Sequence, residues 1–335
     1  STASHLLFHG QEFHTSYWGH LGLLHLTRNF LVPGYVAYPN TAAASLFPNN
    51  ATVADMAHEQ AGLVGYVHPF DTVPDPANRA SLTNELPVDV ALGKVDYIEA
   101  VGFSDHKSTA AVWYRLLNCG FRLPAAAGTD AMANFASLRG PVGLDRVYTK
   151  VPVGPLKIEP WLEALKQGRT FATNGPLLSF SLDGREVGDE LRVTAGENRL
   201  KFKAWLRSLV PVDHLEVICN GRVVRDLELS PDRQSADAQG EITLARSSWC
   251  LLRAWSDKAR HPVLDIYPYA TTSPIYVSIA GSPMKSTEDA AYFIAWIDRL
   301  IAAARSHKDW NTDTERDAVL DQLARAREIY EKIRP

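Results

Sequence analysis

No apolar run in these 335 residues approaches the roughly 18 to 20 that a membrane-spanning helix needs, so no transmembrane helix and no membrane partner are expected. The opening Ser1-Thr-Ala-Ser-His5 has no basic segment leading into an apolar core, so no signal-peptide pattern is read there; the chain is expected to begin inside a domain. Thirty-four basic residues stand against thirty-eight acidic ones, for a formal charge of −4. No basic run is present to neutralise a phosphate backbone, and nucleic acid is not an expected partner. Cysteine is scarce: Cys119, Cys219 and Cys250 lack any Cys-x-x-Cys spacing, which excludes thiolate zinc and redox motifs. One bridge, Cys219 to Cys250, between two strands and buried free thiols are the alternatives that remain. Gly-x-Ser-x-Gly, Gly-x-Gly-x-x-Gly and the P-loop are all absent, so a nucleophile elbow and the common phosphate cradles have no support. Cys119 closes a helix with no positioned base. There is no internal repeat and no low-complexity segment.

What is present is a chain 46% hydrophobic, enough for a large core in two domains or in one large domain with additions. From residue 6 to about 150, short apolar runs alternate with helix-like stretches, the pattern of strands joined by crossover helices. Strands are expected at Leu6-Phe8, Gly22-Leu26, Leu63-Val67, Tyr97-Val101, Leu123-Ala126 and Arg146-Thr149, with helices at Asn50-Ala61, Ala110-Asn118 and Ile158-Gln167. Beyond the turn-rich Arg169-Thr-Phe-Ala-Thr-Asn174-Gly-Pro176 the period changes to two. Leu178, Phe180 and Leu182 alternate with polar residues, as do Leu200, Phe202, Ala204 and Leu206. Asp183-Gly184 and Asn220-Gly221 mark hairpin turns, so residues 176–283 read as a β-sandwich. Residues 284–335 return to helical period. Ser286 caps one helix, and Thr312 with Glu315 forms a capping box for another.

The chemical signal lies before residue 131. Eight of the eleven histidines (His5, His9, His14, His20, His25, His58, His68 and His106) precede residue 107. A divalent ion that activates water needs neutral imidazoles, carboxylates and an open coordination position, and Glu12, His20, His68 and Asp130 supply those groups. In a parallel barrel the loops after successive strands share one rim, so distant residues converge there.

Four motifs occur in order: Gly10-Gln11-Glu12 after an apolar strand, Trp18-Gly19-His20, His68-Pro69 at a strand end, and Gly128-Thr129-Asp130. In these, and in Tyr97-Ile-Glu-Ala-Val-Gly and the Gly168-to-Pro176 exit, residues 6 to about 180 resemble the PHP (polymerase and histidinol phosphatase) superfamily. The likeness is strongest to its CehA/McbA branch of metal-dependent hydrolases. The resemblance implies an α/β fold: a PHP-like distorted (β/α) barrel over residues 1–175, then the all-β sandwich and the C-terminal helical tail. It implies metal-dependent hydrolysis of a small-molecule phosphoester, or of a carboxylic or carbamate ester or amide. Two features depart from the family. Its opening His-x-His strand has no counterpart here, because Ser1-Thr-Ala-Ser reads as a mid-protein loop and the first ligands would precede it. Met132 stands where many relatives carry a histidine, and it is a poor ligand for hard or borderline ions. One or two ions, of zinc, manganese or iron, are therefore expected rather than three.

Each candidate also has a plainer reading. His68 can be a strand-end histidine satisfied by backbone, Glu12 a turn cap, His20 a core residue beside Trp18, and Asp130 a helix cap. His14 lies two residues from Glu12, on the same side if the chain is extended, and is a candidate proton carrier. Glu99 is a candidate catalytic carboxylate or a support for a neighbouring ligand. His106 is a candidate substrate contact or a surface-loop residue, and Arg139 a candidate anchor for an anionic group or a structural ion pair. His5, His9, His25 and His58 read as packing or surface residues. The competing class is a degenerate, non-catalytic barrel whose sandwich binds a glycan or a protein, and the missing His-x-His and Met132 favour it.

Overall fold

The computed structural model describes residues 5–15, 17–28, 36–80, 82–132, 134 and 139–334. The expected loop at residues 1–4 lies outside them. The first body runs β1 (Gln11–Thr15), β2 (Gly19–Leu24), α1 (Asn50–His58), β3 (Leu63–Tyr66), α2 (Leu86–Ala91), β4 (Tyr97–Gly102), α3 (His106–Asn118) and β5 (Ala125–Gly128). Its strands form one sheet in sequence order, antiparallel from β1 to β3 and parallel from β3 to β5. Among the described residues this sheet is open, and no closed barrel is found. Leu6-Phe8, expected as a strand, is irregular; the first strand begins at Gln11, where the ladder with β2 starts.

The two faces of this sheet differ. Phe13, Leu21, Leu23, Val64, Tyr66, Ile98 and Ala125 point to one side and are buried there against helices. The opposite face is held nearly flat by glycine. Gly22 and Gly65 are neighbours across β2 and β3, and the Tyr97 ring from β4 lies over both. A Cβ on Gly22 would stand 2.6 Å from the Tyr97 hydroxyl, which donates to the Gly22 carbonyl at 2.8 Å, and one on Gly65 would fall inside the ring itself.

Next come β6 (Arg146–Thr149), α4 (Ile158–Lys166) and β7 (Thr170–Thr173). The strand at Arg146–Thr149, expected in the barrel, instead pairs antiparallel with β7, and β7 pairs with a strand of the following body. That body holds β8 (Leu177–Leu182), β9 (Arg185–Glu186), β10 (Glu190–Val193), β11 (Asn198–Arg207), β12 (His214–Cys219), β13 (Arg222–Asp226), β14 (Ser235–Leu244), β15 (Ser248–Trp255), β16 (Tyr269–Thr272) and β17 (Ile275–Ile279). A four-stranded sheet, β14-β11-β8-β9, faces an eight-stranded one that includes β6 and β7, so pairing crosses the boundary expected near residue 175. The two-residue alternation holds: Leu178, Phe180, Leu182, Leu200, Phe202, Ala204 and Leu206 enter the inter-sheet core. Both expected hairpin turns place their two central residues at positive φ: Asp183 and Gly184 at 46° and 76°, Asn220 and Gly221 at 50° and 77°. Cys219 and Cys250, direct partners across β12 and β15, form a disulfide.

The last two helices, α5 (Thr287–Ser306) and α6 (Asp313–Ile333), are capped by Ser286 and Thr312. This C-terminal helical tail packs back onto the first body. Phe293, Trp296, Ile297, Leu300, Val319, Leu323 and Tyr330 are buried in the same core as the first sheet. Trp296 Nε1 donates to the Asn84 carbonyl and the Tyr330 hydroxyl to that of Pro87, both at 2.9 Å. Among the described residues, no helix is long and apolar enough to cross a membrane.

This helix-covered side also encloses carboxyl groups. Glu85 is fully buried, accepting from Asn49 Nδ2 at 2.5 Å and from the Asn50 amide at 2.7 Å. Burial pushes its carboxyl from 4.5 up to about 8, more than hydrogen bonds from Asn49 and from the Asn50 and Ala51 amides offset. Asp89, buried beside it, is raised as well.

Two outcomes are expected. Gly65→Ala should cost about 2 to 3 kcal/mol in urea unfolding because it overpacks against Tyr97. In a Tyr97→Ala background the same change should cost little; an equal cost in both would remove Tyr97 as the cause. Secondly, the folded Glu85 carboxyl holds its proton up to about pH 8 while the unfolded one releases it near 4.5, so stability falls as pH rises through that window. Glu85→Gln should flatten the fall in melting temperature, and an unchanged slope would refute this assignment.

Candidate metal centre

Glu12 and His14 alternate on β1 and share a face, and His14 is the cross-strand partner of His20 on β2. Three residues are thus gathered by a single hairpin. The His14 and His20 rings lie with centroids 3.4 Å apart. His68 lies two residues past the end of β3. Its backbone sits at φ 32°, a left-handed conformation unfavourable for a non-glycine residue. The turn carries its ring toward the hairpin, where Nε2 lies 3.0 Å from Glu12 Oε1. His20 Nδ1 lies 3.1 Å from the same oxygen.

These three residues form, among the described residues, the one group whose ligand atoms all converge, within 4.8 Å of one another. Donor atoms about 2.0 to 2.1 Å from one tetrahedral ion lie roughly 3.3 Å apart. The two close separations measured here match that spacing. His20 Nδ1 is buried and makes no aligned hydrogen bond despite its nearness to Glu12, as expected of an atom turned toward a shared centre. The cluster can hold a metal ion.

Asp130 stands at the rim of the cluster, with Oδ2 3.9 Å from His68 Nε2. It too has a left-handed backbone, at φ 55°. Arg139 Nη1 approaches the same oxygen at 2.5 Å, and its guanidinium lies 4.8 Å from the Phe103 ring centroid. Met132, two residues on, is partly exposed.

Glu99 supports the centre from below. It projects from β4 on the glycine-lined face, where a Cβ on Gly128 would collide with its carboxylate. Its Oε2 accepts the His68 backbone N–H at 2.8 Å, which fixes the turn that aims the His68 ring.

Charge is unevenly held across the cluster. Burial works against the Glu12 carboxylate, yet the His20 and His68 rings beside it keep it well below the ordinary range. Burial pushes Glu99 up to about 8; the His68 amide and ring oppose this, while Asp130 and Glu12 add to it. Asp130 is raised by burial against the pull of His68 and Arg139. Burial disfavours a charged His68, but Glu12, Glu99 and Asp130 outweigh it and raise that ring. His14 is lowered, first by burial and then by His20.

The structure therefore brings Glu12, His14, His20, His68, Glu99, Asp130 and Arg139 together. His106 is placed elsewhere: wholly buried at the start of α3, with Nε2 2.9 Å from Asp265 Oδ2. Asn174 Nδ2 donates to the same oxygen at 2.5 Å. Tyr97, Asp145 and Asp265 carry weight that sequence reasoning did not assign. Paired glycines on adjacent strands were a usable signal for Tyr97; nothing local distinguishes Asp265 from other loop aspartates.

No family model matches the chain, and neither a curated protein nor a solved structure matches it.

With zinc or manganese added at about 100 times its dissociation constant, stability should rise by about 2.7 kcal/mol. His68→Ala and Glu12→Gln should abolish the rise in melting temperature, and Glu99→Gln should weaken metal affinity by about 10- to 100-fold. An undiminished rise in His68→Ala would place the ion elsewhere.

Proposed function

We propose that the chain is a metal-dependent hydrolase of PHP type, acting on a small-molecule phosphoester or on a carboxylic or carbamate ester or amide. The observation that carries this reading is the convergence of Glu12, His20 and His68 on one point. The order of motifs in the sequence supports it, and the first sheet with its helices is read as the described part of a PHP-type barrel. Glu12, His20 and His68 hold one ion, and Asp130 is placed to join them or to hold a second. Zinc, manganese and iron all suit mixed imidazole and carboxylate ligands. When bound, such an ion lowers the pKa of water to about 7 and polarises a scissile carbonyl or phosphoryl oxygen.

The chain's own residues supply the rest. His14, lowered by burial and packed on His20, is a neutral base able to take up a proton. Glu99, pushed up to about 8, holds a proton at neutral pH and fixes His68 through its amide. Arg139 offers a guanidinium to an anionic part of the substrate. His106, buried behind the loop that carries Asp265, acts as a positioning residue and does not reach the substrate.

A second reading, a non-catalytic barrel whose sandwich binds a glycan or protein, is favoured by Met132 standing where a further nitrogen ligand would be needed. Elemental analysis of the chain and of His68→Ala discriminates the two. Hydrolysis predicts metal in the first and little in the second, with panel activity on nitrophenyl esters and phosphoesters abolished by chelation. His68→Ala should lower kcat/KM by at least about 100-fold, roughly 2.7 kcal/mol of barrel-site transition-state stabilisation. Near-zero metal in both proteins would favour the binding module instead.

A further inference from the structure

A groove between the two bodies encloses about 810 Å³ and has no lining residue in common with the candidate metal centre. Its floor is one face of α3, where Lys107, Ala111, Tyr114, Arg115 and Asn118 recur at helical spacing. Its walls are two turns of the sandwich, at 220–222 and 246–247, and the approach to α5 at 282–286. Clefts of this size where two bodies meet are common ligand sites.

Charge in this groove is one-sided. Six basic side chains (Lys107, Arg115, Arg222, Arg246, Arg253 and Lys285) line it against two acidic ones, Glu288 and Asp289, in a chain whose formal charge is −4. Three of the six are engaged. Arg115 Nη1 meets Asp289 Oδ1 at 2.5 Å, Arg253 places Nε and Nη2 2.9 and 2.7 Å from Glu216 Oε2, and Lys107 lies over the Trp255 and Tyr267 rings. Arg222, Arg246 and Lys285 are exposed, and among the described residues none of them has a carboxylate partner.

The segments that carry these three cations are fixed to one another. Asn220 Nδ2 donates to Ser248 Oγ at 3.0 Å, and that hydroxyl donates to the Arg246 carbonyl at 2.9 Å, so the two arginine-bearing turns are joined. Buried Ser247 accepts the Ile279 amide at 2.8 Å, and Ile279 pairs with Ser282 in the segment that leads to Lys285. Asn118 clamps the floor to both walls, accepting from Trp249 Nε1 at 2.8 Å and donating to Asp289 Oδ2 at 2.9 Å.

Three like charges held in one concavity repel one another, and a bound anion relieves that repulsion. The planar forks of Arg222 and Arg246 match the paired oxygens of a phosphate. Each phosphate group brings about −1.5 to −2 charges at pH 7 where a carboxylate brings one, so two of them balance all three unpaired cations within a single small molecule. We propose that this groove binds a small molecule carrying two or more phosphate groups, anchored by Arg222, Arg246 and Lys285. The site is separate from the metal ligands and does not depend on the hydrolase reading.

The test uses the full chain freed of metal by chelation and dialysis, so that no ion at Glu12, His20 and His68 can hold a phosphate group. Titrated calorimetrically at neutral pH in dilute salt, pyrophosphate should bind at least about ten-fold more tightly than inorganic phosphate or sulfate, the least expected of one further charge-assisted hydrogen bond. Arg222→Gln and Arg246→Gln, both at exposed turns, should each weaken pyrophosphate by about ten-fold, and the double variant should erase the preference. Arg225→Gln, on the same hairpin as Arg222 but outside the groove, should leave it unchanged, as should His68→Ala. Equal binding of pyrophosphate and phosphate, or equal losses in Arg225→Gln and Arg222→Gln, would overturn the proposal. Loss of pyrophosphate binding in His68→Ala would place the anion at the metal centre and overturn it as well. A pyrophosphate preference in a chain that takes up no metal and hydrolyses nothing would refute the hydrolase reading alone.

Discussion

Side chains missing at Gly22, Gly65 and Gly128 decide what the first sheet can carry. With no Cβ at 22 and 65, the Tyr97 ring lies down across two strands; with none at 128, the Glu99 carboxylate occupies the adjacent space. Glu99 then takes the His68 amide and stabilises a left-handed backbone that histidine would otherwise avoid. The direction of the His68 ring, and so its meeting with Glu12 and His20, follows from that turn. A methyl group at any of the three glycines would disturb the centre without touching a ligand.

The opposite face of the same sheet has the reverse character, and the difference gives the chain its stability. Helices from both ends of the sequence close over it, so α5 and α6 complete the core that β1 to β5 begin. Each large apolar side chain buried there contributes about 1.5 to 3 kcal/mol. Such a core can carry the unfavourable burial of Glu85 and Asp89 on its own side and of Glu99 and Asp145 near the site. The result is an apolar layer beneath a polar one that carries the acidic groups.

The pairing of the two bodies sets the surroundings of the candidate site. Because β6 and β7 join β16, the loop after β5 is drawn toward the sandwich. The segment around Asp265 reaches back to His106 and Asn174. A pocket beside the candidate metal centre is therefore walled by both bodies: Asp71, Asp105 and Asp145 from one side, Asp265 and Tyr267 from the other.

Much of this was legible in the residues themselves. Alternation at Leu178 to Leu182 and Leu200 to Leu206, the Asp-Gly and Asn-Gly turns and the Ser286 and Thr312 caps act over a few neighbours, and short-range sterics and hydrogen bonding determine them. The same is true of Glu12 with His14, two residues apart on an extended strand. The motif order also marked His20, His68 and Asp130, although convergence itself is a matter of distance in space. That the described sheet stays open, that Arg146–Thr149 joins the sandwich and which surface the last helices meet depend on contacts across many residues of chain. No local pattern encodes these, because an apolar strand or helix face is equally satisfied by any complementary surface, and only packing of the whole chain selects which one it meets.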